Sequence, residues 1–134
     1  MKTNSSGGFT LIELMVVVVI MAVLVAVGIP SYSSYVLKGK LTEGQTLLAD
    51  LQLRQEQYYA DNRAYADGMT PRAAGKYFTT TSCATSSANQ SYICTARMTS
   101  PSYSYTINDG GSKTTTKPDG STATCWLTSD TGSC

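Results

Sequence analysis

Near the amino terminus stands the stretch Gly8-Phe9-Thr10-Leu11-Ile12-Glu13, which opens a long apolar run that carries a single acid. From Leu14 to Ile29 the run has no charged residue. As a helix that rises about 1.5 Å per residue, residues 9–29 would be roughly 31 Å long, enough to cross a bilayer core of about 30 Å. A lone strand is excluded, because only helices and closed barrels satisfy their backbone groups in lipid. We therefore predict a transmembrane helix over residues 9–30.

Hydropathy alone leaves a secretory signal peptide or a simple one-pass anchor as alternatives. A signal peptide is cut after its apolar core, and Ala22, Ala26 and Gly28 offer small residues for such a cut. Glu13 argues against both, because an ionised and unpaired carboxylate in lipid costs on the order of 2.5–3.5 kcal/mol. No lysine or arginine lies in the run, so its partner must come from outside this helix. Lys2 marks the cytoplasmic side, which leaves the C-terminal part of the chain outside.

The quoted stretch, together with Ile29-Pro30-Ser31-Tyr32, resembles the prepilin signature of type IV pilins and the related pseudopilins. The resemblance implies a leader, residues 1–8, that a prepilin peptidase removes between Gly8 and Phe9 before it methylates the new amine of Phe9. It also implies that Glu13 meets the terminal amine of a neighbouring subunit during assembly. That amine would supply the cation that Glu13 lacks in its own helix.

Beyond Pro30 an amphipathic pattern resumes and runs to about Asn62. Its positions recur at intervals of three, four or seven residues and are occupied by Leu37, Leu41, Gly44, Leu48, Leu51, Gln55 and Tyr58. The pattern predicts that residues 31–62 form the second half of the helix and cover a small head. The segment Arg54-Gln55-Glu56-Gln57-Tyr58-Tyr59 resembles the corresponding stretch of minor pilins, including the DNA-uptake minor pilins of competent bacteria.

The remainder of the chain alternates short β-prone runs with turn residues. The runs predict strands at residues 76–81, 92–98, 103–107 and 124–128, and turns at residues 108–111 and 118–120. We predict three or four antiparallel strands in a head over residues 63–134, packed on the amphipathic helix. The fold class is therefore α+β, which is the pilin fold that the resemblance implies.

The four cysteines, Cys83, Cys94, Cys125 and Cys134, all lie in the predicted head. An even number in such a segment indicates disulfides and an oxidising compartment, and three connectivities are possible. We favour the local pairs Cys83–Cys94 and Cys125–Cys134, each closing a loop worth roughly 2.5–3 kcal/mol. The terminal loop resembles the disulfide-bounded C-terminal region of pilins. Zinc is the alternative, but the chain has neither a CxxC pair nor a histidine.

Composition argues against catalysis. The chain has no histidine, which removes the commonest general base, and no nucleophile–base pair or glycine-rich phosphate loop can be assembled from it. We expect no enzyme activity, no cofactor and no resident metal. Asn108, Asp109 and Asp119 are the remaining candidate oxygen ligands for calcium, although aspartate in such turns usually bonds the backbone.

Basic residues of the head are the candidate nucleic-acid contacts. They are Arg72, Lys76, Arg97, Lys113 and Lys117. A basic stripe could follow phosphates and would give a steep salt dependence. The alternative is that they are scattered solubilising charges, which the net charge of +1 favours.

The sequence thus resembles a structural subunit of a type IV pilus. Such a subunit is stored in the inner membrane with its head in the periplasm and then polymerises through its N-terminal helix into an extracellular filament. Its partners would be other pilin subunits, the prepilin peptidase and the assembly platform, and its roles adhesion, twitching motility or DNA uptake. We favour a minor pilin; the alternatives are a major pilin, a type II secretion pseudopilin and a DNA-binding minor pilin that acts as a competence receptor.

Overall fold

The computed structural model describes residues 8–132 and residue 134. It divides into two compact units, one that ends at Val36 and one from Leu37 to Cys134. Helix α1 (Leu11–Asn62) contributes residues to both. Of the predicted leader, residues 1–7 lie outside the described residues.

In the first unit, α1 begins with a side-chain cap. The hydroxyl oxygen of Thr10 accepts a hydrogen bond from the Glu13 backbone N–H at 3.3 Å, which satisfies one of the N–H groups that a helix start leaves without a partner. The apolar side chains that follow are exposed. By length and composition this part of α1 is able to cross a membrane.

In the second unit, five strands form one antiparallel sheet in the order β1-β2-β3-β4-β5. The strands are β1 (Thr80–Ser86), β2 (Ser91–Arg97), β3 (Ser104–Asn108), β4 (Lys113–Thr116) and β5 (Thr122–Ala123). Each pairs with the next along the chain, so the sheet is a meander. The two predicted turns are present: Gly111 and Gly120 have φ of 74° and 82°, a conformation that glycine adopts without strain.

Two predicted strands match β2 and β3 to within one residue, the strand predicted at residues 76–81 overlaps β1 only at residues 80–81, and the strand predicted at residues 124–128 is wrong. Residues 76–79 do not pair with the sheet, because Oε1 of Glu43 accepts the backbone N–H groups of Tyr77 (2.9 Å) and Phe78 (3.2 Å). Residues 124–128 are not a strand either. The hydroxyl of Thr115 donates to the Cys125 carbonyl (2.6 Å) and accepts the N–H of Leu127 (3.1 Å), so a side chain replaces a strand ladder there. Strands β4 and β5 were not predicted, so the sheet has five strands where three or four were expected.

The core lies between one stripe of α1 and the inner face of the sheet. Its buried residues include Leu41, Leu48 and Leu51 from the helix, Phe78 from the α1–β1 connection, and Tyr92, Ala96, Tyr103, Tyr105 and Ile107 from the strands. Tyr58, predicted in the stripe, is 41% exposed. Its neighbour Tyr59 contacts the core instead, with its ring 4.6 Å from that of Tyr65. The apolar stripe therefore ends at Tyr59 and not, as predicted from the sequence, at Tyr58.

Two disulfides are formed, Cys83–Cys94 and Cys125–Cys134. These are the two local pairs that the spacing favoured. Cys83 and Cys94 lie directly opposite each other on β1 and β2, and both are buried. The second disulfide closes the C-terminal loop, in which Cys134 is exposed.

Candidate functional site

The N-terminal segment presents the predicted processing and assembly residues at the exposed start of α1. Phe9 is 86% exposed, and Gly8 precedes it with open space around its Cα. Glu13 stands in the first turn of the helix, where a carboxylate complements the positive end of the helix dipole. Phe9, Glu13, Leu14 and Val17 border a shallow hollow of about 280 Å³.

The Glu13 carboxylate has no cationic partner among the residues that the structure describes. The other three residues that border the hollow, Phe9, Leu14 and Val17, are apolar. A charged group in such surroundings is costly unless it is paired. The Glu13 carboxylate is therefore open to a cation from another molecule.

Two lysines meet the ring of Tyr77 in the connection between α1 and β1. The Nζ atoms of Lys40 and Lys76 lie 5.1 Å and 5.2 Å from the ring centroid. Both distances are within the range of cation–π attraction. Lys76 was a candidate from sequence, whereas Lys40 was not. Only the structure relates Lys40 to Tyr77, because no short sequence spacing joins them.

A second lysine–aromatic pair lies at the start of β4. Nζ of Lys113 is 4.5 Å from the centroid of the Trp126 ring. The indole N–H of Trp126 donates to the Thr106 carbonyl at 3.0 Å and so fixes the ring plane. Lys117 is engaged differently, since its ammonium donates to the Asp130 carbonyl at 2.8 Å.

The two candidate arginines stand apart from these pairs. Arg72 is exposed in the connection between α1 and β1, and Arg97 is exposed on β2. Among the described residues, no hydrogen bond or ring contact joins any two of the five predicted basic residues. Along the chain, the five residues lie in the α1–β1 connection (Arg72, Lys76), on β2 (Arg97), at the first residue of β4 (Lys113) and directly after β4 (Lys117).

Two of the three oxygen groups considered for calcium, those of Asn108 and Asp119, are bonded within their own turns. Oδ1 of Asn108 accepts the Ser112 N–H at 2.8 Å. Oδ1 of Asp119 accepts the N–H and the hydroxyl of Ser121, at 2.8 Å and 2.7 Å, and these bonds lower the pKa of Asp119. In the part of the chain that the structure describes, no group of three His, Cys, Asp or Glu side chains could hold a metal ion.

Three tyrosine hydroxyls of the core are held in neutral form by burial. Burial raises the pKa of Tyr105 to about 12, and its hydroxyl donates to the Leu127 carbonyl. Burial also raises the pKa values of Tyr92 and Tyr103, with further contributions from Glu56 and Asp130 respectively. These hydroxyls serve the fold, because each donates a hydrogen bond to a neighbouring element.

An apolar N-terminal helix that carries one acid near its start, followed by a disulfide-bonded antiparallel sheet, defines the chain as a type IV pilin. The prokaryotic N-terminal methylation motif matches residues 3–29. The family model described as type IV minor pilin ComP, DNA uptake sequence receptor, matches residues 30–125. The chain belongs to this family.

Named relatives agree with that assignment. EcpC, a fimbrial protein of Eikenella corrodens, is 34% identical over 98 residues, covering 69% of this chain and 63% of the relative. A fimbrial protein of Moraxella nonliquefaciens is 36% identical over 72 residues, covering 54% and 47%. The type IV major fimbrial protein FimA of Dichelobacter nodosus is 38% identical over 96 residues, covering 64% and 58%. The matched segments therefore span roughly half to three fifths of these relatives.

A solved structure supports the fold. The type IV pilin from Shewanella oneidensis matches with a TM-score of 0.50 at 16% sequence identity, covering 57% of this chain and 89% of that chain. The molecule is an α+β pilin. Homologues of this kind assemble with other pilins into filaments, and they are anchored in a membrane before they become extracellular.

Proposed function

We propose that this chain is a minor pilin that binds DNA at the cell surface during DNA uptake. The observation that carries the proposal is the match of the receptor family over residues 30–125. That match covers most of the second unit, where the head that distinguishes one pilin from another is located. A match confined to the N-terminal motif would support only the general class.

The route to the surface is part of the proposal. A prepilin peptidase cuts between Gly8 and Phe9 and methylates the Phe9 amine, while the head stands in the periplasm and α1 remains in the inner membrane. The assembly platform then takes the subunit into the filament. Glu13 pairs with the terminal amine of a neighbouring subunit. The apolar hollow beside Glu13 supports this step, because within the described residues it offers the carboxylate no cation.

Lys76 and Lys113 are the best-supported DNA contacts among the five candidates. Each ammonium lies over an aromatic ring that positions it, and each lysine is exposed. A positioned cation meets a phosphate with less loss of side-chain freedom than an untethered lysine does. Lys40 adds a second cation at Tyr77. Arg72, Arg97 and Lys117 have no such ring contact, and the ammonium of Lys117 is already bonded to Asp130.

The test is DNA binding by the full chain in micelles of a zwitterionic detergent, followed by fluorescence anisotropy over a range of salt. Chromosomal fragments of the source organism would be compared with unrelated DNA of the same length. We expect tighter binding of the former and a linear fall of log K with log salt. Lys76→Gln and Lys113→Gln should each reduce the slope by about 0.9 per lost phosphate contact.

Lys38→Gln is the matched control, since Lys38 is an exposed lysine of the same unit without a ring contact among the described residues. Its slope should stay at that of the unaltered chain. If the unaltered chain does not bind DNA, the receptor function is wrong. If a chain that carries both Lys76→Gln and Lys113→Gln keeps the full slope of log K against log salt, DNA binding has been assigned to the wrong residues.

A major pilin is the second candidate, because several relatives are described as major fimbrial proteins or major pilins. Both candidates predict the same processing and the same fold. Copy number in isolated filaments separates them, since a major pilin is the most abundant subunit.

A further inference from the structure

The sheet has an outer face, turned away from the helix, that is almost entirely polar. We define the outer face by Thr80, Ser82 and Ala84 on β1, Ile93, Thr95 and Arg97 on β2, Ser104 and Thr106 on β3, and Thr114 and Thr116 on β4. Arg97 is its only charged member. Because strand side chains alternate between faces, the large apolar residues point to the core and hydroxyls remain outside.

Strand register places hydroxyl groups on both sides of Arg97. Thr80 is directly opposite Arg97 on β1, Ser104 is opposite it on β3, and Thr116 follows opposite Ser104 on β4. Neighbouring strands are about 4.8 Å apart, so this row spans roughly 14 Å. Side chains that lie directly opposite each other in this way can contact one ligand together.

Two adjoining hollows meet at this row. One, of about 500 Å³, is bordered by Thr80, Arg97, Met98, Thr99, Ser102, Tyr103, Ser104 and Thr116. The other, of about 280 Å³, is bordered by Thr80, Ser82, Ala84, Ile93, Thr95 and Arg97. Thr80 and Arg97 belong to both, so the two hollows form one trough, which we call the Arg97 groove. Its size is within the range of small-molecule sites, about 300–1,000 Å³.

The guanidinium of Arg97 is unpaired in the described part of the chain. It has no hydrogen bond, no ion pair and no ring contact there. None of the described residues that border the groove is acidic. The groove therefore combines one free planar cation, able to bind a carboxylate through two parallel hydrogen bonds, with a surrounding set of hydroxyl donors and acceptors.

We propose that the Arg97 groove binds a carboxylate-bearing sugar. Such a ligand has one anionic group for Arg97 and several hydroxyls for the threonine and serine side chains around it. Duplex DNA fits less well, because a backbone-tracking surface needs several cations and the groove has one. A protein partner also fits less well, since the centre of an interface is usually apolar or aromatic and Ile93 is the one large exposed hydrophobic residue of the outer face.

The test is a titration of the isotope-labelled full chain in micelles of lauryldimethylamine oxide, a detergent without a sugar headgroup. Sialyllactose is the probe and lactose the neutral control. We expect sialyllactose to shift the amide signals of Arg97 and Ser104 and to bind about tenfold or more tightly than lactose, as a hydrogen-bonded ion pair predicts. Arg97→Gln should remove that preference, and Arg97→Lys should restore part of it.

Arg72→Gln is the matched control, because Arg72 is an exposed arginine of the same unit that does not border the groove. It should bind sialyllactose like the unaltered chain. Equal binding of sialyllactose and lactose, or an unchanged preference in Arg97→Gln, would overturn the proposal. So would loss of DNA binding in Arg97→Gln without any sialyllactose binding by the unaltered chain, which would assign the groove to DNA. Sialyllactose binding by a chain that does not bind DNA would leave this site standing and reject the receptor function.

Discussion

The ring of Phe78 occupies the space that a side chain on Gly44 would need. A Cβ atom built on Gly44 would lie 2.6 Å from Cζ of Phe78 and 2.7 Å from its Cε1. The sequence places Gly44 in the apolar stripe of the helix, where glycine is less favourable than alanine by about 1 kcal/mol. In the structure the absence of a side chain at this position is what allows the connection before β1 to pack against α1.

Gly44→Ala should therefore destabilise the head even though alanine favours helix. Overpacking of a core costs about 1–3 kcal/mol, which exceeds the gain in helix propensity of up to about 1 kcal/mol. Gly39→Ala is the matched control, because a Cβ there meets nothing within 4 Å, and it should leave the head as stable or more stable. The measurement is thermal unfolding of the full chain in micelles by near-ultraviolet circular dichroism. A rise in stability for both variants would contradict the packing account.

Gln55 is a polar residue buried in the core stripe of α1. Its side-chain amide forms hydrogen bonds with the backbone of the segment that follows the helix. Its Nε2 donates to the Ala66 carbonyl at 2.7 Å, and its Oε1 accepts the Ala66 N–H at 2.9 Å. Gln55→Leu should destabilise the head by roughly 2–4 kcal/mol, since both backbone groups of Ala66 lose their partner. Gln57→Leu, at an exposed position of the same turn, should change stability by less than about 0.5 kcal/mol. Equal denaturation midpoints for the two variants would show that this contact contributes little.

The head should lose stability in alkali. Burial raises the pKa of Tyr105 to about 12 from an ordinary value near 10. Above pH 10 the unfolded chain releases this proton while the folded chain keeps it, so stability falls as pH rises from about 10 to about 12. In this window Tyr105→Phe should reduce the slope of the free energy of unfolding against pH by up to about 1.4 kcal/mol per pH unit.

The same variant should cost little at neutral pH. The Leu127 carbonyl retains the hydrogen bond from Nε2 of Gln45 at 3.1 Å, and phenylalanine keeps the ring contact with Phe78. We expect a loss of about 0.5–1.5 kcal/mol. Denaturant titrations at neutral pH and at several alkaline pH values measure both effects. An alkaline slope that is identical in the two proteins would mean that Tyr105 titrates normally.

Glu13→Val should separate processing from assembly. We expect cleavage and a stable membrane-stored subunit, because valine suits the apolar surroundings, together with a loss of this subunit from filaments. Removal of one partner of an ion pair that is buried in apolar surroundings costs about 3–5 kcal/mol. Immunoblots of membranes and of sheared filaments measure the two pools. Glu13→Asp is the control that keeps the charge, and normal incorporation of the valine variant would contradict the pairing.

Periodic patterns predicted the elements that the structure confirms. The stripe Leu41, Leu48 and Leu51 identified the core face of α1, and the alternation of Tyr103, Tyr105 and Ile107 identified β3. These features are local, because the same few residues form the element and bury its apolar face. The α+β fold class followed from them and from the resemblance carried by the N-terminal stretch.

The errors occurred where a side chain replaces the strand ladder. The Glu43 carboxylate forms hydrogen bonds with the backbone of residues 77–78, and the Thr115 hydroxyl forms them with the backbone of residues 125–127. Neither partner is close in sequence, so β propensity alone extended strands into both segments. The pairing of Lys40 with Tyr77 and the groove around Arg97 are likewise products of packing and register. The sequence analysis named Arg97 among five candidate cations but not Lys40, and it could not assign the neighbours of either residue.

Intact-mass spectrometry of filaments sheared from the native cells tests the central claim most directly. The claim is that this chain is a processed pilin subunit with a head closed by two disulfides. We predict a species whose first residue is N-methylated Phe9 and whose head retains both disulfides, present at the low abundance of a minor pilin. A chain that is absent from filaments, or that begins near Ile29 after removal of the apolar segment, would contradict it.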